Sequence, residues 1–150
     1  MLFRSWSEGF RPVVRGQQVT WEKSARQDGS YDSFRAYLNT VFTYAGTASL
    51  NRELQKVDDL RDLRIGDVFI QPGYPGHAVI VVDMAQNPRT GAKAFLLAQS
   101  YTPAQDMHIL TNPGDRALAP WYDINIGSEL RTPEWTFGNH NLRRFPEVVR

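Results

Sequence analysis

The most promising acid–base group in this sequence is a histidine placed where a strand is expected to begin. His77 follows a Gly- and Pro-rich loop at 73–76 and opens an apolar, β-branched run that ends at Asp83. A ring at such a position is held by the sheet while it faces a loop-lined opening, which suits a general base. The simpler alternative is a histidine that bonds a nearby carbonyl at a strand edge.

Gln99 is the residue that we expect beside this ring. An Asn-Pro-Arg-Thr-Gly turn signal joins the predicted strands 77–83 and 93–100 as an antiparallel pair. This pairing returns the end of the second strand to His77, so Gln99 or Ser100 falls within hydrogen-bonding reach. A neutral amide orients an imidazole in Cys-His-Asn sites. A register shift of one residue would turn Gln99 to the other face, as an ordinary polar residue at a strand end.

A nucleophile is harder to find in this sequence. The chain has no cysteine, and it has no Gly-x-Ser-x-Gly elbow of the α/β-hydrolase type. Ser30 and Ser33 stand at the start of a predicted helix, where backbone amides and the helix dipole favour developing negative charge. We therefore name them as candidate catalytic nucleophiles. Their alternative role is to cap that helix.

The sequence predicts neither a metal site nor a cofactor. His77, His108 and His140 have no cysteine neighbours, and no His-Glu-x-x-His run occurs. The 73–76 loop lacks the Lys and Ser/Thr of a phosphate-binding loop. Seventeen Lys and Arg against sixteen Asp and Glu give a net charge of +1 without a basic block, which argues against nucleic-acid binding. The apolar run 78–82 is far shorter than the roughly twenty residues of a transmembrane segment.

The elements that must position these residues predict an α+β domain, with N-terminal helices packed on an antiparallel sheet. The length of 150 residues fits one domain. Apolar residues at a 3.6-residue period predict a helix over 32–45, capped by Ser30 or Asp32 and closed by a left-handed Gly46. A second, shorter helix is expected over 49–57.

Strands are expected mainly after these helices. The patterns predict them over 67–71, 77–83, 93–100 and 107–110. Segment 13–21, with a glycine near its centre, indicates a short hairpin or an edge strand. The stretch after 112–114 is rich in proline and scattered aromatic residues, which predicts loops pinned by aromatic anchors.

Several long motifs resemble one bacterial family. They cover 66–83 (Gly-Asp-Val-Phe-Ile-Gln-Pro-Gly-Tyr-Pro-Gly-His-Ala-Val-Ile-Val-Val-Asp), 96–101 (Leu-Leu-Ala-Gln-Ser-Tyr) and 132–137 (Thr-Pro-Glu-Trp-Thr-Phe). With them, nearly the whole chain closely resembles the domain of unknown function 4846, a family with no established activity. Its members typically carry an upstream region with a Cys-Ala-Asp-Ala run. The resemblance therefore implies that residues 1–150 are the C-terminal part of a longer member, and it suggests a periplasmic or envelope location.

A looser likeness is to the NlpC/P60 group of papain-like cell-wall peptidases. That group has a cysteine at a helix start, a Gly-Asp strand, a strand that begins with histidine, and a polar residue on the next strand. The Gly-Asp pair at 66–67, His77 and Gln99 match the last three in order, whereas residues 31–33 stand where the cysteine belongs. The likeness implies a papain-like amidase or peptidase scaffold with His77 as base and Gln99 as its partner, catalytically incomplete without the thiol.

Aromatic and acidic residues near this expected cleft complete the candidate site. The candidate substrate-binding residues are Asp67, Tyr74, Tyr101 and Trp121, and the expected ligand is a cell-wall peptide or glycan. A competing interpretation is a non-catalytic envelope module that binds glycan or peptide through aromatic residues such as Trp121 and Trp135. A third is a structural domain without a small-molecule site.

Overall fold

A computed structural model describes residues 3–16 and 18–146 of the chain. These residues form two compact units, one that ends at Gly46 and one that begins at Thr47. The α+β class is confirmed, while the papain-like architecture and the single domain over 1–150 stay predictions. Within the described ranges, no helix has the length and apolar character needed to cross a membrane.

The first unit consists of two helices and a β-hairpin. Its elements are α1 (Phe3–Ser7), β1 (Phe10–Arg15), β2 (Gln18–Lys23) and α2 (Tyr31–Tyr44). The antiparallel β1–β2 pair confirms the hairpin predicted over 13–21, and α2 confirms the helix predicted over 32–45. The prediction that Gly46 is left-handed is wrong, since its φ is not positive. The helix instead ends at Ala45, whose amide donates to the Val41 carbonyl.

The second unit is built on a seven-stranded sheet in which every described pairing is antiparallel. Its elements, after α3 (Thr47–Glu53), are β3 (Gln55–Lys56), β4 (Val68–Gln71), β5 (His77–Gln86), β6 (Lys93–Gln99), β7 (His108–Ile109), β8 (Tyr122–Asp123), β9 (Glu129–Arg131), β10 (Thr136–Gly138) and β11 (Leu142–Arg144). The strand order is β3-β11-β4-β5-β6-β7, with β8 on β6. Strands β9 and β10 form a separate pair.

Two expectations for this unit are wrong. The helix predicted over 49–57 ends at Glu53, because Gln55 and Lys56 leave it to pair with β11. The region after 114 is not simply loop: it holds β8 to β11. Strands of two or three residues are too short to leave a periodic signal, and tertiary pairing rather than local propensity forms them.

The sheet buries apolar side chains on both faces, which alternate along each strand. One face forms the main core, with Val57, Leu63, Phe69, Val79, Val81, Phe95, Leu97, Leu110, Tyr122, Ile124, Leu130, Phe137 and Leu142. The other face carries Val68, Ile70 and the partly buried Ile80, and Leu50 of α3 packs against them. The β9–β10 pair contributes Leu130 and Phe137 to the main core, which places β10 next to the strands of the candidate site.

A buried ion pair fastens β11 to the turn that leads into β4. Asp67 is 1% exposed, and both of its carboxylate oxygens accept hydrogen bonds at 2.7 Å from the Arg144 guanidinium. Arg144 also donates to the Asp62 carbonyl, and the Arg64 amide donates to Asp67. The carboxylate is thus fully compensated, as a buried charge must be to avoid a large desolvation penalty.

Replacing Arg144 with leucine is expected to destabilise the second unit strongly. The substitution leaves the Asp67 carboxylate buried without its counter-charge, which costs about 3–5 kcal/mol of unfolding free energy. Urea denaturation followed by circular dichroism measures the change. The control is Arg131→Leu, which removes an exposed arginine of β9 and should change stability by less than about 0.5 kcal/mol. Equal losses in both variants would contradict the prediction.

Candidate functional site

A β-bulge in strand β5 determines the face of the sheet on which Gln99 lies relative to His77. Strand β5 pairs with β6 as Val81↔Leu97 and then as Asp83↔Leu96, so the residue between Val81 and Asp83 is extra. Such a bulge shifts the register by one residue. Without that shift, the pairing that begins at Gln86↔Lys93 would continue to Ile80↔Gln99. Gln99 would then lie on the face of Ile80, opposite to the face of His77. With the bulge, Gln99 faces the same side as His77.

His77 and Gln99 do meet, as predicted, and a third residue joins them. The His77 Nε2 and Gln99 Oε1 atoms are 2.6 Å apart. The Gln99 Nε2 atom donates a hydrogen bond of 2.7 Å to Glu134 Oε2. Gln99 is 2% exposed, His77 is partly buried and Glu134 is exposed. The three side chains form a continuous chain from a carboxylate through an amide to an imidazole, which we call the relay.

A tight turn between β9 and β10 positions Glu134. The Thr132 amide and hydroxyl both donate to the Trp135 carbonyl at 2.8 Å, and the Trp135 amide donates back to the Thr132 hydroxyl at 3.2 Å. Thr132 is buried. Thr132 and Trp135, which bracket the Pro133–Glu134 corner, are therefore held together, and the Glu134 carboxylate bonds Gln99 at the end of β6.

Three aromatic rings surround His77. Tyr101 meets the imidazole edge-on with ring centroids 5.0 Å apart, Trp135 lies at 5.4 Å, and Phe137 is stacked at 6.0 Å. Phe137 is fully buried, whereas Tyr101 and Trp135 are partly exposed. The rings hold the imidazole plane, so the relay does not have to orient it alone.

Glu134 makes the electrostatic environment of the site negative. Glu134 takes part in none of the ion pairs formed by the described residues, so no Lys or Arg side chain neutralises its charge there. Its field reaches Tyr122, whose pKa is raised above 10.0 by burial first and by the Glu134 charge second. The Tyr122 hydroxyl donates to the Thr111 carbonyl at 2.7 Å, so it stays protonated as a structural donor.

The two candidate nucleophiles have structural partners in the first unit. Ser30 is the N-cap of α2, and its hydroxyl accepts from the Ser33 amide at 3.2 Å. The Ser33 hydroxyl is buried and accepts from the Trp6 indole at 3.2 Å. The capping role of Ser30 is confirmed. The hydrogen bonds described for both serines lie within the first unit, whereas the relay lies in the second.

Among the described ring contacts of His77, Tyr101 is the only partner that belongs to the candidate substrate-binding residues. Tyr74 is fully exposed in the loop before His77, and Asp67 is buried in its ion pair. Trp121 lines a separate cleft of about 340 Å³ beside the β5–β6 turn, at the other end of β5 from His77. Other residues lining this cleft are Ala85, Asn87, Ala92, Lys93, Ala94, Leu118 and Asp123.

The sequence did not identify Glu134 as a site residue. It lies 35 positions from Gln99 along the chain, and a lone exposed glutamate in a proline-containing segment gives no periodic or motif signal. The Thr-Pro-Glu-Trp motif was visible only as a family resemblance. Among the described residues, no group of three His, Cys, Asp or Glu side chains is arranged to hold a metal ion.

Together, the fold and the relay define an α+β domain with an oriented histidine at one end of an antiparallel sheet. The chain belongs to the family described as domain of unknown function (4846), which matches residues 1–144. No curated protein matches the chain. No solved structure matches it either.

Replacing Gly76 with alanine is expected to disturb the loop that delivers His77. A Cβ there would collide with the Thr47 hydroxyl and would lie 2.5 Å from the Gly73 carbonyl. Such overpacking costs about 1–3 kcal/mol, and we expect the His77 ring resonances to shift in the NMR spectrum. The control is Gly29→Ala, where a Cβ meets nothing within 4 Å. An unchanged stability and unchanged His77 resonances in Gly76→Ala would refute the prediction.

The raised pKa of Tyr122 predicts a loss of stability in alkali. Below pH 10 the Tyr122 hydroxyl keeps its proton in both the folded and the unfolded chain, so its contribution to the free energy of unfolding is fully present. Above pH 10 the unfolded chain releases the proton while the folded chain keeps it, so stability falls as pH rises through the folded value. In urea denaturation between pH 9 and 11, the free energy of unfolding should fall more steeply with pH for the natural chain than for Tyr122→Phe. Parallel curves would sink the prediction.

Proposed function

We propose that the second unit carries the base and the orienting group of a papain-like amide-hydrolysis site, and that this chain lacks the thiol nucleophile. The observation that supports the proposal is the relay, because it fixes an imidazole through one ring nitrogen. An imidazole held in this way is prepared to accept a proton with its other nitrogen. The domain is thus an amidase- or peptidase-like scaffold that is catalytically incomplete.

In this proposal His77 is the base and Gln99 its orienting partner. Because the sequence has no cysteine, no thiolate in this chain attacks an amide carbonyl. Ser30 and Ser33 are the hydroxyl candidates for that role, although each has a structural partner within the first unit. An added nucleophile from outside the sequence would complete the chemistry.

The proposed ligand is a cell-wall peptide, in the periplasm or at the envelope. Support comes from the order of the Gly-Asp pair, His77 and Gln99 along the chain, which is similar to the NlpC/P60 order. Tyr101 and Trp135 leave partly exposed ring surface beside the imidazole, against which a peptide would pack. Tyr74, exposed in the preceding loop, is the remaining proposed contact to the ligand. Asp67 is buried in its ion pair with Arg144 and would serve the site only by holding the turn before β4 in place.

A non-catalytic glycan-binding module is the second candidate, because Trp121 lines a cleft of its own. The cleft combines an aromatic ring with polar side chains of Asn87, Lys93 and Asp123. Aromatic surfaces beside hydrogen-bonding groups are suited to sugar rings, whose faces are apolar and whose rims carry hydroxyls. In this alternative the relay histidine takes no part in binding.

Calorimetric titration with a peptidoglycan stem peptide and with a chitin oligosaccharide separates the two candidates. If the relay is the site, the peptide binds, and Trp135→Ala weakens its binding by about tenfold, since losing aromatic contact costs on the order of 1–2 kcal/mol. Trp121→Ala, which removes the same type of side chain from the other cleft, is the matched control and leaves peptide binding unchanged. Sugar binding that survives His77→Ala and is lost in Trp121→Ala supports the glycan module instead.

Mass spectrometry of the same mixtures tests catalytic incompleteness. We expect the stem peptide to remain uncleaved after prolonged incubation, because no thiol is present. Cleavage that disappears in His77→Ala would overturn this part of the proposal, and Ser30→Ala and Ser33→Ala would then show whether either hydroxyl is the nucleophile. If neither peptide nor sugar binds, both candidates fail and the structural-domain interpretation remains.

A further inference from the structure

The chemistry of a carboxylate fixes the direction of the relay. A carboxylate oxygen only accepts hydrogen bonds, whereas a glutamine side chain has an accepting oxygen and a donating NH₂ group. The contact of 2.7 Å between Glu134 and Gln99 therefore requires the NH₂ group of Gln99 to face Glu134. The Gln99 oxygen is then left to face His77, at 2.6 Å from Nε2.

The orientation of Gln99 determines where the imidazole carries its proton. An amide oxygen cannot donate, so the His77 Nε2 atom must carry the hydrogen in this contact. In a neutral ring the other nitrogen, Nδ1, then has the lone pair. This deduction does not depend on how the similar O and N atoms of the amide are assigned, because Glu134 permits only one arrangement.

We infer that Glu134 is a positioning residue that acts through Gln99 to hold His77 in the Nε2–H tautomer. Nδ1 is then the nitrogen that takes a proton, and whatever group engages it must be a proton donor: a hydroxyl, a thiol, a water or an ammonium. The description of Nδ1 as a catalytic base rests on the proposed function. The assignment of the tautomer rests only on the geometry of the relay.

Competing partners for the relay are few. The side chain of Gln99 has its described hydrogen bonds with His77 and Glu134 alone, and it is buried from water. The rings of Tyr101, Trp135 and Phe137 hold the plane of His77 but do not distinguish its two nitrogens. The direction of the amide, and with it the tautomer, is therefore under the control of Glu134.

Long-range ¹H–¹⁵N correlation NMR on the full chain, with ¹⁵N-labelled histidine, tests this inference at a pH where the rings are neutral. We expect the Nε2–H tautomer of His77 to predominate, with only a small share of the Nδ1–H form. In Glu134→Gln the amide at 134 both donates and accepts, so Gln99 is free to turn, and the share of the Nδ1–H tautomer rises by roughly fivefold or more. His108 is an internal reference of the opposite kind, because its Nδ1 faces the Asp106 carbonyl.

Glu129→Gln is the matched control, because it removes the same charge from an exposed position on β9 and should leave the His77 tautomer unchanged. A folded Glu134→Ala variant gives a second test without any group at 134, and it should also raise the Nδ1–H share. The inference is overturned if the natural chain shows mainly the Nδ1–H form, or if neither substitution at 134 changes the tautomer.

This outcome is separable from the outcome for the proposed function. The expected tautomers without any peptide binding would leave the positioning role of Glu134 standing and would remove the hydrolase-like proposal. Peptide binding at the relay, with a His77 tautomer that does not change when Glu134 is replaced, would support the proposed function and remove the positioning role of Glu134.

Discussion

The candidate site depends on one extra residue in the middle of strand β5. Side chains alternate between the faces of a strand, so a shift of one residue exchanges the faces on the remaining part of the ladder. Beyond the shift between Val81 and Asp83, the strands pair so that His77 and Gln99 lie on the main-core side. Glu134 reaches the same side from the β9–β10 turn. The site exists because a local irregularity in the pairing aligns three separate segments.

A second constraint holds the frame around this alignment. β4 pairs with β5, the strand that begins at His77, and β11 pairs with β4 on its other side. The Asp67–Arg144 ion pair joins the start of one of these strands to the end of the other. Phe137, which stacks on His77, belongs to the same main core as Phe69 of β4. The sheet core and the imidazole environment are therefore one packing unit.

The sequence was sufficient for the elements with strong local signals. The apolar period of α2, the β-branched run of β5 and the turn between β5 and β6 placed these elements correctly, and with them His77 near Gln99. The bulge at 81–83 left no signal, because a continuous apolar run looks the same in either register. β11 and Glu134 were missed for a related reason: each acquires its role from partners far along the chain, such as Asp67 for Arg144, and not from neighbouring residues.

The position of β11 also governs how the second unit is completed during protein synthesis. β4 and β5 emerge from the ribosome together and are joined by a short loop, but the strand on the other side of β4 is made some seventy residues later. Until residues 142–144 have left the ribosome, one edge of β4 exposes unpaired backbone N–H and C=O groups. The sheet is therefore complete only after translation has passed Arg144, and until then this edge of β4 is open to pairing with another strand.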